Sequence, residues 1–151
     1  MNTNEKIVAT GELKIVVTAP DGTVKQEQEV KNLVVTAGLG FIASRMAGTS
    51  AAVMSHMAIG TNSTAAAAGN TALGVESARV ALGSTTATAA QVVYVATFPA
   101  GTPATLAAIT EAGLFNASPA GTMLCRTVFQ PVNKDTGDTM SITWTVTMAA
   151  P

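Results

Sequence analysis

The stretch MSITWTVTM, residues 140–148, alternates without a break. Met140, Ile142, Trp144, Val146 and Met148 fall on one side, and Ser141, Thr143, Thr145 and Thr147 fall on the other. Side chains of a strand point to opposite faces with period two, whereas a helix would spread these five apolar residues around its circumference. The stretch is therefore a strand with one apolar face and one uncharged hydroxyl face. ELKIVVTA (12–19) repeats the pattern, with Leu13, Ile15, Val17 and Ala19 on the apolar side. Strands with one apolar face need a facing layer, so a chain built from them folds into a sandwich or barrel.

The rest of the chain extends this reading. Pro20-Asp21-Gly22 is a turn: Pro presets φ, Asp bonds back to the backbone and Gly accepts positive φ. The polar run TVKQEQEV (23–30) then returns as the second arm of a hairpin. Further strands are expected at 53–60, 78–84, 90–98, 106–116 and 122–129, separated by breaker-rich connections such as ASPAG and QPVNKDTGDT. One segment changes period: Leu39, Ile42 and Met46 recur at i, i+3 and i+7, with Thr36 as a cap and Gly48 as a stop. The expectation is an all-β fold, a β-sandwich or jelly roll of about eight strands with one short helix near 37–46. Residues 1–10 lack a period and read as an N-terminal arm, and 11–151 as a single domain.

Charge is sparse and unevenly placed. Charged residues make up 11% of the chain, well under the usual quarter. Residues 1–31 hold nine of them, and residues 32–75 hold only Arg45. A freely exposed surface normally carries about a quarter to a third of charged residues. Much of this surface is thus expected to be covered by other chains, or to form a Thr/Ser/Ala skin that tolerates contact. A net charge of −1 leaves no basic footprint for nucleic acid, and aromatics at 4% leave no platform for stacking bases. No apolar run approaches 18 residues, and the first residues lack the basic-then-apolar order of a signal peptide, so no membrane partner is expected.

Several motifs invite a chemical reading and fall short of it. Gly38-Leu39-Gly40-Phe41-Ile42-Ala43 has the spacing of a dinucleotide-binding turn, but no Asp or Glu lies between Glu29 and Glu76 to hold a ribose. Close strand-to-helix packing explains the glycines. Asp135-Thr136-Gly137 matches the aspartic-protease triplet, yet it sits between Lys134 and Asp138 in a polar turn instead of a dry carboxylate pair. His56 and Cys125 are the sole residues of their types, so they cannot supply a tetrahedral zinc set within one chain. His56 shares a face with Met54 and Ala58, and Cys125 with Met123 and Phe129, which reads as packing. No catalytic, cofactor or metal residues are expected, nor a small-molecule substrate.

Glu76, Arg79, Glu111 and Arg126 are isolated charges among apolar neighbours. Burying an unpaired charge is costly, so these four are expected to form ion pairs, within the chain or across an interface.

VMSHMAIGTNST, AGNTALGVESAR, AITEAGLFN and GTMLCRTVFQPVNKDTGDTMSITWTVTM carry a resemblance spanning about residues 30–148. Its telling pieces are Ile59-Gly60-Thr61, Leu73, Glu76 with Arg79, Glu111 through Asn116, Arg126 with Phe129, Lys134 and the strand at Ile142-Thr143-Trp144. The string is similar to a group of small structural proteins of tailed bacteriophages, in which such residues are structural. The resemblance implies a virion component and not an enzyme. The expected role is a capsid decoration (cement) protein on the capsid surface, assembled in the host cytoplasm, with the major capsid protein and copies of itself as partners. A tail, neck, baseplate or fibre part is the alternative. The expected contacts are Met1, Asn2, Thr3, Asn4, Glu5 and Lys6 of the arm, Asn62 and Asn70 of the 61–72 loop, and Asn133 and Lys134 of the 130–138 loop. The Thr face of 141–147 joins them, because hydroxyls are cheap to desolvate when bonded.

Overall fold

The computed structural model describes residues 5–49 and 51–150. Met1, Asn2, Thr3 and Asn4 of the expected arm contacts lie outside the described residues. The chain forms β1 (Val8–Thr18), β2 (Val24–Val34), α1 (Thr36–Met46), β3 (His56–Gly60), β4 (Glu76–Ala81), β5 (Ser84–Thr88), β6 (Gln91–Phe98), β7 (Leu106–Phe115), β8 (Met123–Lys134) and β9 (Thr139–Ala149). The strands make one antiparallel sheet in the order β4-β3-β7-β8-β2-β1-β9-β6-β5, which curls into an all-β, sandwich-like fold.

Two corners fold this sheet into facing layers. At the first, β2 pairs with β1 from Val24 to Asn32 and then with β8 through Leu33 and Val34. At the second, β4 and β5 are consecutive in the chain but lie at opposite ends of the strand order. Between them, the Leu82 N–H donates to the Ser55 carbonyl and the Gly83 N–H to the Val95 carbonyl, both within 2.9 Å. Strands that switch sheets make the corners of such sandwiches.

The apolar alternation fills the space between the layers. The register sets Tyr94, Trp144 and Leu13 in one row, Ala96, Ile142 and Ile15 in the next, and Phe98, Met140 and Val17 in a third. All nine are buried and face Met57, Ile59, Ile109, Leu114, Cys125, Phe129 and Val132 of the other layer. Trp144 donates its indole N–H to Asn32 Oδ1 at 3.0 Å. Gly11 lies directly opposite Asn32, and a Cβ there would collide with that oxygen.

Four features differ from the sequence reading. First, β1 starts at Val8, so residues 8–10 of the expected arm are sheet, paired with Ala149, Met148 and Thr147. Second, β5 is a ninth strand in a segment read as a turn. All five of its residues are exposed, so it has no apolar face to reveal it. Third, β8 runs through residues 130–134, read as a loop because of Pro131. Here β8 has left the β2 backbone ladder, so the missing proline N–H costs no bond. Gln26 and Gln28 of β2 instead donate their side-chain amides to the carbonyls of Pro131 (3.3 Å) and Gln130 (2.9 Å), stitching the seam. Fourth, α1 has Val35 at its cap position, and Thr36 makes no capping bond. Leu39 and Met46 of the expected apolar stripe are 50% and 77% exposed. The helix meets β8 through Gly38, where a Cβ would collide with the Leu124 carbonyl. That contact turns Leu39 and Met46 outward.

Candidate functional site

The outer side of the β8-β7-β3-β4 layer carries a second, smaller core of Val35, Ala58, Leu73, Phe115 and Met123. Residues 61–75 cross this side, and a buried ion pair fastens them. β7 and β8 set Gly113 opposite Arg126 and Glu111 opposite Val128, so the Glu111 and Arg126 side chains share the outer face. The Glu111 side chain is fully buried and Arg126 nearly so, with 2.8 Å between Oε2 and Nη2. The Arg126 Nε donates to the same oxygen at 3.0 Å.

Glu111 also accepts three backbone N–H groups, from Val75 (2.8 Å), Gly74 (2.9 Å) and Asn62 (3.2 Å). Arg126 donates to the Thr64 carbonyl at 3.0 Å and to Asn70 Oδ1 at 3.1 Å. Burial pushes the Glu111 carboxyl up, but the Val75 and Gly74 N–H groups, the guanidinium and the Asn62 N–H together hold it below its ordinary value. With five donors on two oxygens, the carboxylate acts as a clasp for the 61–75 loop. Gly60 makes room for it, since a Cβ there would meet Glu111 Oε1 and the Val75 carbonyl.

Arg79 fastens the next loop. It pairs with Glu76 through Nε (2.8 Å) and Nη2 (2.7 Å), lies 3.8 Å over the Phe115 ring, and donates Nη1 to the carbonyls of Ala117 and Ala120. The four isolated charges are thus two pairs within one chain, each holding a loop on the same side of the molecule.

The remaining expected contacts divide. Glu5 and Lys6 are exposed beside the start of β1. Asn62 and Asn70 are half-buried, with both amide oxygens accepting backbone N–H groups of their own loop, from Thr64 and Ala67. Asn133 is exposed and accepts the Ala108 N–H at 2.9 Å. Lys134 is a correction: it is fully buried, and its Nζ donates to the Pro103 carbonyl at 3.2 Å. Its position on β8 tucks it under residues 99–105, where burial pushes its ammonium below the ordinary lysine value against the pull of Asp138. Asp138 itself bonds Lys25 Nζ at 2.6 Å and the Asp135 N–H at 2.9 Å. Asp135 also bonds Lys25, so the Asp-Thr-Gly triplet is a turn closed onto β2.

Ser55 Oγ lies 2.8 Å from His56 Nδ1, and among the described residues no carboxylate hydrogen-bonds that ring. The Cys125 thiol is fully buried, which raises its pKa well above the ordinary value. Burial, with Cys125 nearby, pushes the Tyr94 phenol up to about 12. Among the described residues no three His, Cys, Asp or Glu side chains cluster as metal ligands, and no helix is long and apolar enough to cross a membrane.

The opposite layer presents a different surface. Across β5-β6-β9, the register lines up Thr86, Val93 and Thr145 in one row, and Ser84, Val95 and Thr143 in the next. Ionised groups enter these rows only at β1, as Glu12 and Lys14. A shallow groove of about 570 Å³ opens here, with Thr145 and Thr147 on one side and Glu12 and Lys31 on the other. Sequence reasoning found the Thr face on β9 but missed its continuation onto β5.

Comparisons with known protein families, with curated proteins and with solved structures return no significant match.

Proposed function

We propose that this chain is a virion structural protein of a tailed bacteriophage, a capsid decoration protein that bridges major capsid subunits. The observation that carries the reading is the β5-β6-β9 face: free of ionised side chains, and made of hydroxyl and methyl groups with the Gln91 amide. Such a face desolvates at low cost when a neighbour supplies hydrogen-bond partners. The resemblance of residues 30–148 to small phage structural proteins supports the same reading. The chain exposes 7783 Å² in all, and a standard interface takes about 800 Å² per partner, so one copy has room to touch several subunits at once. Repetition by symmetry then makes many weak contacts strong together. Contact residues on this reading are Glu5, Lys6, Asn133 and the Thr face of 141–147. Lys134 is removed from the set, and Asn62 and Asn70 shape the loop that would meet a neighbour.

Purified virions of the encoding phage, analysed by quantitative mass spectrometry, test the proposal. A decoration protein is expected at on the order of hundreds of copies per particle. Copies in small multiples of three or six would replace the capsid role by the tail, neck, baseplate or fibre role. Absence from purified particles would overturn both. A Thr145→Lys variant is expected to fold normally and to lose particle binding.

A further inference from the structure

Strand β5 is the last strand of the sheet, and among the described residues no strand pairs with its free side. It pairs with β6 in an unbroken register from Ser84↔Val95 to Thr88↔Gln91, and all five of its residues are exposed. Residues 89 and 90 form a two-residue turn, so Thr88 and Gln91 are the hydrogen-bonded closing pair. Alternation then directs the N–H and C=O of Thr86 and Ser84 to β6, and those of Thr85 and Ala87 outward. Among the described residues no backbone group takes up these outward donors and acceptors.

Edge strands are normally blunted by Lys, Pro, bulges or a covering element. The other end of the sheet follows that rule: β4 carries Glu76 and Arg79, and its register breaks at Ile59/Gly60. Ser84-Thr85-Thr86-Ala87-Thr88 has no charge, no proline and no bulge.

We propose that β5 is a self-association edge, pairing antiparallel with β5 of a second copy about a two-fold axis at Thr86. That geometry sets Thr86 against Thr86 of the second copy, Thr85 against Ala87, and Ser84 against Thr88. Thr85 and Ala87 of each copy exchange N–H···O=C bonds, four in total. Cross-strand Thr pairs are favourable, and no ionised groups oppose one another. In the Thr86 row the first ionised residue, Glu12, is three strands away. A foreign strand would draw specificity from pockets for its alternate side chains. The fully exposed β5 has none, whereas a second copy is self-complementary by symmetry.

Two five-residue strands bury less than the about 1,200 Å² of the smaller stable interfaces, so the free dimer is weak, with Kd on the order of 0.1–1 mM. The inference stands without the virion reading, since it concerns the isolated chain.

The test is a dilution series of the ¹⁵N-labelled full chain, from about 2 mM to about 20 µM, followed by amide chemical shifts. Thr85 and Ala87 are expected to shift with concentration while β2 amides stay fixed. Ala87→Pro deletes an outward N–H without touching the β6 ladder, and Thr86→Lys sets two ammonium groups together at the axis. Each is expected to weaken dimerisation at least tenfold with the melting temperature retained. Concentration-independent shifts at Thr85 and Ala87, or wild-type dimerisation by Thr86→Lys, would overturn the proposal. Failure of the virion reading would be seen in particle composition and leave this result untouched.

Discussion

The two outer faces of the fold solve opposite problems with the same period-two strands. The β8-β7-β3-β4 layer covers itself: residues 61–75 and α1 lie over it, and the loop is held by Glu111 and Arg126. The β1-β9-β6-β5 layer is left open, and its central strand shows hydroxyls where the other layer shows Phe115 and Met123. The difference lies in what the outward positions carry. An apolar outward residue demands a cover, and an irregular cover needs partners for its backbone N–H groups, which Glu111 supplies. Thr needs neither. Buried charge in this molecule therefore marks where the chain meets itself.

The largest expected effect breaks the covered side. Glu111→Ala leaves Arg126 buried without its counter-charge and frees three N–H groups, which costs about 3–5 kcal/mol in urea unfolding. Amide exchange at Asn62, Gly74 and Val75 is expected to rise with it. The pH dependence follows from the depressed carboxyl: its stabilisation is complete above the ordinary value of 4.5 and is lost as pH falls from there through the folded value. The wild-type advantage over Glu111→Ala is thus expected to shrink in acid. Gly38→Val comes next. Its side chain would collide with the β8 backbone at Leu124 and push α1 away, at about 1–3 kcal/mol, with loss of helical ellipticity.

How much of this was legible in the sequence depended on whether a residue acts through its side-chain pattern. Leu13, Ile15, Val17, Met140, Ile142 and Trp144 show their role by alternation, and the structure buries all six. Glu111 and Arg126 stand out because a lone charge in an apolar run needs a partner. Gly74 and Val75 are silent, since they contribute only backbone N–H groups. The ninth strand was missed because β5 buries nothing, and Gln130–Lys134 because Pro131 normally ends a strand. Of the two glycines read as a tight strand-to-helix turn, Gly38 does lie too close to the Leu124 backbone for a Cβ, whereas Gly40 faces open space; Gly60 gave no signal of its close approach to Val75. Lys134 gave none, for nothing local tells a buried lysine from an exposed one.

Lys134 sharpens the comparison because it is the buried charge with the poorest partner, one carbonyl at 3.2 Å. Lys134→Met fills similar volume without an ammonium to desolvate, and is expected to gain about 1–2 kcal/mol at pH 7. Its folded pKa lies below the ordinary 10.5, so between those values the unfolded chain binds the extra proton and wild-type stability rises with pH. The gap between variant and wild type is expected to narrow as pH approaches 10.5.

The smallest effects form a matched pair, the same hydroxyl-to-methyl change in the two layers, once facing the core and once on the open face. Thr127 in β8 is buried and donates its hydroxyl to the Lys31 carbonyl at 2.9 Å. Thr127→Val leaves that carbonyl without the bond and is expected to cost about 1 kcal/mol. Thr145 sits on the open face, where its hydroxyl borders the groove, and Thr145→Val is expected to stay within about 0.5 kcal/mol. Urea midpoints measured side by side decide the matter. If Thr145→Val cost as much as Thr127→Val, the hydroxyls of the open face would be holding the fold together, and the face would no longer support the proposed contact with a neighbour.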